Sequence, residues 1–176
     1  TLMGDIDLTE VEEWVSIGTA ERPWTGEFNG NNKKIINLKS SQPLFGVCEN
    51  ATLKNIVIDE TSVIEYVGEF SEQLLIASLV KELKNNSVVE SCTNNGKVAI
   101  DAAAKAENIA IAAAGLVAYV DATSKVSLCS NFGEVNVPNS CTTLGDSSRS
   151  GVGGIVAYNE GIIEDCFNNG TITASA

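Results

Sequence analysis

One pattern governs what this chain can fold into: it says nearly the same thing every 37 residues. The stretch GVGGIVAYNEGIIEDCFNNGTIT at residues 151–173 restates AAGLVAYV…VSLCSNFGEVNV, which restates IASLVKEL…VVESCTNNGKVAI. Cys92, Cys129 and Cys166 are separated by 37 and 37 residues, and the apolar anchors Leu44, Leu79, Leu116 and Ile155 by 35, 37 and 39. A second anchor pair follows each of these: Leu53 with Ile56, Val89 with Cys92, Val126 with Cys129, and Ile163 with Cys166. A third apolar segment follows the turns Asn94-Asn95-Gly96, Asn131-Phe132-Gly133 and Asn168-Asn169-Gly170, leading into KVAI, EVNV and TIT. A unit of this size cannot bury its own inward face, so each must present the same residues at the same phase for its neighbours to cover.

The three segments of each unit are short and rich in Val, Ile, Leu and Thr, which favours strands. KVAI and EVNV alternate, putting Val98 with Ile100 and Val135 with Val137 on one side. Leu53 and Ile56, like Val89 and Cys92, lie three apart, so both point inward only if the chain bends or bulges between them. A helical solenoid competes, because SEQLLIASLVKELK at residues 71–84 would make an amphipathic helix. The equivalent segments, AAGLVAYV and VGGIVAYN, carry Gly153 and Gly154 among other small residues. Each glycine weakens a helix by roughly 1 kcal/mol relative to alanine. One geometry must serve all equivalent segments, and the reading is therefore all-β: a parallel β-helix of about 4–5 coils, each of 35–39 residues with three short strands.

The units define a single domain over residues 1–176: an N-terminal coil at 1–42, full coils at 43–75, 76–112 and 113–151, and a last coil at 152–176. In the first coil, Asp5–Leu8 reads as the first strand, Trp14–Ile17 and Glu27-Phe28 as the middle portion, and Lys34–Leu38 as the last strand. Thr9 and Glu12 fit a capping box for a short helical turn.

The balance of 11 basic against 23 acidic residues, a net charge of −12, argues against nucleic acid or an anionic membrane surface as partner. The most apolar window, IAIAAAGLVAYV at 109–120, is too short for the ~20 residues of a membrane helix. Five cysteines, Cys48, Cys92, Cys129, Cys141 and Cys166, include no CxxC pair, and there is no histidine, so neither a zinc site nor another cofactor is expected. The opening Thr1-Leu2-Met3 reads as a processed form or an excised piece.

Several positions have both a structural and a functional reading. Cys92, Cys129 and Cys166, with Ile56 at the same place one unit earlier, form either a buried ladder or a redox-active set. Asn94, Asn131 and Asn168 form either an asparagine ladder at a turn or a row of ligand-binding amides. Tyr119 and Tyr158 recur at one phase with Glu82 below them, and outward-facing aromatics either stabilise each other or bind sugars. Glu90, Glu164 and Asp165 are the candidate catalytic acids, and the sequence shows no basic partners for them. Three connections, residues 59–75, 101–111 and 138–151, leave at one corner of the repeat, where insertions either form a binding surface or are tolerated decoration.

GGIVAYNEGIIEDCFNNGTIT, AGLVAYV…CSNFGEV and PLFGVCENATLKNIVI resemble the GLUG motif, a G-G-L-V-G-Y-N…I-x-N-C-Y-N-x-G-x-V pattern of bacterial surface proteins that include immunoglobulin A1 protease-like polypeptides. GDIDLTEVEEWVSIGTAERPWTGEFNGNNKKIINL resembles the segment that commonly precedes such repeats. Departures are Ala77-Ser78 and Pro43 in place of paired glycines, and Ala118 and Ala157 where glycine is usual. The resemblance implies a right-handed parallel β-helix at the cell surface or outside the cell, without catalytic residues to carry over.

The expected function is a non-catalytic, adhesin-like recognition module of a bacterium with a glycan or host surface protein as partner. A polysaccharide-processing enzyme and a purely structural spacer are the alternatives. Residues 152–173 carry core-type Ile155, Ile163 and Ile172 and are not expected to be a natural cap. Further coils, an adjacent domain or a second copy would cover that face.

Overall fold

The computed structural model describes residues 1–104, 109–137 and 150–174. Numbered in chain order, one coil consists of β8 (Leu74–Ala77), β9 (Val80–Lys84), β10 (Val88–Glu90), β11 (Thr93–Asn94) and β12 (Lys97–Ala104). The next repeats it as β13 (Ile111–Ala114), β14 (Val117–Val120), β15 (Lys125–Ser127), β16 (Ser130–Asn131) and β17 (Val135–Val137). The last does so as β18 (Gly151–Gly153), β19 (Val156–Asn159), β20 (Ile162–Glu164), β21 (Phe167–Asn168) and β22 (Ile172–Ala174). Equivalent strands of these three successive coils pair in parallel with one another. The result is an all-β parallel solenoid in which the three segments read from the sequence resolve into five short strands per coil.

The N-terminal part uses the same tracks with fewer stops: β1 (Ile6–Asp7), β2 (Trp24–Asn29), β3 (Lys34–Ile36), β4 (Lys39–Ser40), β5 (Phe45–Lys54), β6 (Val57–Ile58) and β7 (Val63–Phe70). On the β1-β3-β6-β11-β16-β21 sheet, paired residues run Ile6, Ile35, Ile58, Asn94, Asn131, Asn168, so successive turns take 29, 23, 36, 37 and 37 residues. Three turns are full-sized and the first two are tighter. The β8-β13-β18 sheet has no member before β8.

The bend required between Leu53 and Ile56 is a single residue in the left-handed region. Asn55, Ser91, Leu128 and Asp165 occupy this corner in successive coils, with φ of 54°, 53°, 54° and 50°. One such residue turns the chain from one sheet to the next and lets both flanking anchors point inward. Leu44, Leu79 and Leu116 form one buried row that ends at the half-buried Ile155. Val98, Ile100, Val135 and Val137 are buried as their alternation required.

Residues 71–84 contain the two strands β8 and β9 with a bend between them, as the rejection of a helix required. Two other expectations change. Thr9 to Glu12 do not start a helical turn; the Thr9 N–H and Oγ1 both donate to Asp7 Oδ1, at 2.9 and 2.6 Å, in a local turn that competes with a helix cap. Within the connections 59–75 and 101–111, residues 63–70 and 101–104 are strand, because β7 and β12 stay paired over eight residues, from Lys97 with Val63 to Ala104 with Phe70. The connection 138–151, with Cys141, lies almost wholly outside the described residues.

Candidate ligand groove and the ladders behind it

Two interior ladders hold the coils in register. In the first, Ile56, Cys92 and Cys129 are fully buried and Cys166 half-buried. Each thiol donates to the carbonyl two residues before it: Cys92 to Glu90 at 3.3 Å, Cys129 to Ser127 at 3.1 Å, Cys166 to Glu164 at 3.2 Å. The described cysteines are all free thiols. Burial pushes Cys48 up to about 12 and Cys92 well above the ordinary thiol value, and raises Cys166 as well. Cys129 is shifted down, chiefly through its hydrogen bond with the Cys92 thiol, yet it is fully enclosed. Since the thiolate is the reactive form, the enclosure of Cys92 and Cys129 makes this row part of the core.

In the second ladder Asn94 Nδ2 donates to Asn131 Oδ1 at 2.8 Å, and Asn131 Nδ2 to Asn168 Oδ1 at 2.8 Å. The same nitrogens donate within their own turns to the carbonyls of Gly96, Gly133 and Gly170, at 2.9, 2.9 and 3.0 Å. The Gly96 N–H donates back to Asn94 Oδ1 at 3.0 Å, which fixes the amide orientation. The glycines are steric requirements of this ladder. A Cβ on Gly133 would stand 1.8 Å from the Gly96 carbonyl oxygen, and one on Gly115 would stand 2.4 Å from the Asn131 side-chain carbon. Gly154 sits the same way against Asn168. Ser78, where the repeat has glycine, donates its hydroxyl to the Gly115 carbonyl of the next coil, so the buried oxygen is satisfied.

Across β5, β9, β14 and β19, Val47, Glu82, Tyr119 and Tyr158 form one row, buried at Val47 and partly exposed from Glu82 to Tyr158. The Tyr119 and Tyr158 rings stack with centroids 5.3 Å apart and planes 15° from parallel. Both hydroxyls donate to one carboxylate, Tyr119 to Glu160 Oε2 at 2.7 Å and Tyr158 to Glu160 Oε1 at 2.8 Å. Glu82 forms an ion pair with Lys84 beneath the rings.

Beside this row lies a 160 Å³ cleft lined by Gln73, Leu75, Glu82, Lys84 and the two tyrosines. It shares Gln73, Leu75 and Glu82 with a larger cleft of 590 Å³, bounded by the segment around Val15–Ala20 and by residues 66–75. Parallel pairing at one coil spacing thus creates a rigid aromatic platform, and the end of β7 with the chain leading into β8 supplies the opposite wall. Tyr66 packs edge-on to Phe70 at 6.3 Å and stiffens that wall.

Sequence reading placed the two tyrosines and Glu82 at one phase. It missed Glu160, which reaches Tyr119 from the following coil, and it missed the wall contributed by residues 15–20, which no repeat announces. The acids Glu90 and Glu164 sit two coils apart in one register column with Ser127 between them, and Asp165 occupies the left-handed corner. Glu164 does have a basic partner: it forms an ion pair with Lys125, contrary to the sequence reading. Lys125 follows from the register, since it stands beside Val88 and Ile162 on neighbouring coils, a proximity that linear spacing hides.

Coils in parallel register, thiol and amide ladders at fixed phase, and glycine wherever a Cβ would strike the neighbouring coil define a repeat-built β-solenoid. The GLUG motif matches residues 148–173, and this match falls on the last coil of this parallel β-solenoid. A solved structure from Bacteroides ovatus, provisionally described as an immunoglobulin A1 protease, is similar at 16% identity and a TM-score of 0.43, over 98% of this chain and 76% of that one. No curated protein matches the chain.

Proposed function

We propose that this chain is a non-catalytic, adhesin-like recognition module of a bacterial cell-surface or secreted protein, and that its groove takes a carbohydrate. The observation that carries this reading is the pair of stacked tyrosines clamped by Glu160 on the edge of an open groove. Aromatic rings offer a large apolar face to the C–H side of a sugar at little cost in side-chain entropy, and here both rings are held in place before any ligand arrives. Gln73 and Glu82 place an amide and a carboxylate within the same cleft, which suits hydroxyl groups. The net charge of −12 disfavours strongly acidic polymers.

A glycan array probed with the protein tests this. Binding to neutral or amino-sugar glycans that falls at least about tenfold in Tyr119→Ala and Tyr158→Ala is the expected outcome. Binding unchanged by both substitutions would move the ligand site elsewhere, to a host protein or another face. Degradation of a polysaccharide by the pure protein would replace recognition with catalysis.

A further inference from the structure

The cleft beside the tyrosines is too small to be a whole site. At 160 Å³ it falls below the roughly 300–1,000 Å³ of cavities that enclose a small-molecule ligand, whereas the larger cleft, at 590 Å³, falls within that range. Since the two share Gln73, Leu75 and Glu82, the tyrosine platform is one end of a longer groove.

The register gives that groove its direction and length. Tyr158, Tyr119, Glu82 and Val47 stand one coil apart on β19, β14, β9 and β5. Gly18 adds a fifth position, because its carbonyl accepts the Val47 N–H at 3.2 Å while that of Ile17 accepts the Gly46 N–H at 2.9 Å. A Cβ on Gly46 would lie 2.3 Å from the Gly18 carbonyl oxygen, so these two backbones close the floor of the large cleft. Five positions across the strands span about 19 Å along the solenoid axis, at ~4.8 Å per strand spacing. The room beside them exists because the β8-β13-β18 sheet begins at β8; the coil before it runs from β4 to β5 through Ser41, Gln42, Pro43 and Leu44 alone.

We infer, on the reading that this groove takes a carbohydrate, that its ligand is a neutral chain of equatorially linked hexoses of the cellulose type, bound lengthwise along the solenoid axis. Such chains are extended and each unit advances by close to one strand spacing, so about four units fill the groove. One unit lies over Tyr119 and Tyr158, and the far units lie against Gln42 and the floor at Gly18 and Gly46. A neutral chain suits a lining in which Glu69, Glu72 and Glu82 are nearly balanced by Lys81 and Lys84. Gln42 Oε1 accepts the Ser16 N–H at 3.3 Å, which leaves the amide N–H groups to donate to a sugar hydroxyl. A terminal sugar alone would use the platform and leave the large cleft to water.

The test is calorimetric titration of the full chain with cello-oligosaccharides of two to six units. Affinity should rise at least about tenfold from two units to four and then level off. Tyr119→Ala should weaken every length, whereas Gln42→Ala should weaken the pentasaccharide at least about fivefold more than the disaccharide. Gln42→Glu, which removes the donors and keeps the shape, is the second variant, and circular dichroism checks that both fold. Malto-oligosaccharides, whose axial linkages coil the chain, should bind at least about tenfold more weakly at equal length. Tyrosine-dependent binding of other glycans, with cello-oligosaccharides ignored or bound without gain beyond two units, overturns this inference and leaves the carbohydrate reading standing. So does a loss in Gln42→Ala that is the same at every length. Absence of any glycan binding that depends on Tyr119 or Tyr158 overturns both.

Discussion

At the phase where Asn94, Asn131 and Asn168 follow one another, the N-terminal turns carry Ile58, Ile35 and Ile6 in the same parallel register. The two halves of the solenoid thus stack through one column with opposite chemistry. Around the isoleucines the chain is irregular, with turns of 29 and 23 residues, an edge-packed aromatic trio of Trp24, Phe28 and Phe45, and an ion pair of Lys34 with the buried Asp59 at 2.7 Å. Around the asparagines the turns take 36 or 37 residues and the backbone repeats strand for strand. Dispersion contacts tolerate many shapes, so an apolar column permits unequal coils. A buried amide must meet its acceptor at a fixed distance and angle, so an asparagine column enforces equal ones.

The largest expected effect is on that column. Asn131→Ala removes the acceptor for Asn94, the donation to Gly133 and the donation to Asn168, and leaves a buried N–H on Asn94 without its acceptor across the coils. A loss of about 3–4 kcal/mol in urea unfolding is expected. Ile58→Val should cost only about 1 kcal/mol by the same measurement. Equal losses at the two sites would mean that the amide column adds nothing beyond its volume.

Exchanging the chemistries is the next test. Ile58→Asn places an amide directly beneath Asn94, but the residue two further on is Glu60 where the ladder has glycine, so the tight turn that accepts the second N–H is missing. A destabilisation of about 2–3 kcal/mol is expected from the half-satisfied amide. A neutral or stabilising result would show that the ladder extends without its glycine.

The smallest effect sharpens the comparison at the corners. The N-terminal half places Asn55 in the left-handed corner, a residue suited to it, while the same corner later holds Leu128, 54% exposed. Leucine is strained there by roughly 1–2 kcal/mol. Leu128→Asn should therefore stabilise the protein by about 1 kcal/mol and raise the melting temperature by about 2–4 °C. A lower melting temperature would assign Leu128 a contact worth more than its strain.

The regular half was the legible half. Residues that recur at 37 announce themselves, and the rows through Leu79, Leu116, Cys92, Cys129, Asn94 and Asn131 follow from phase alone because the interior is a stack of like on like. The division of each coil into five strands was not legible: corner residues as different as Asn55, Ser91, Leu128 and Asp165 share a backbone conformation that no common side chain marks. In the first 42 residues the helical turn gives way to Thr9 bonding back to Asp7, and the segments expected as first and last strand, around Ile6 and Ile35, share one track. Nor did any periodic signal foretell the groove, since one wall comes from a segment outside the repeat and the tyrosine clamp comes from Glu160, two residues past the repeated position.

The asparagine column has a polarity as well as a spacing. Every interior amide in it points the same way, N–H toward the next coil and C=O toward the one before, from Asn94 to Asn168. Hydrogen bonds in series polarise one another, so each added amide strengthens those behind it. An all-β protein thereby acquires along its axis a small electrostatic counterpart of the helix dipole, made from side chains, whose partially positive end lies at the last coil. From Asn94 to Asn168 the interior thus has an electrical direction that its apolar rows do not set.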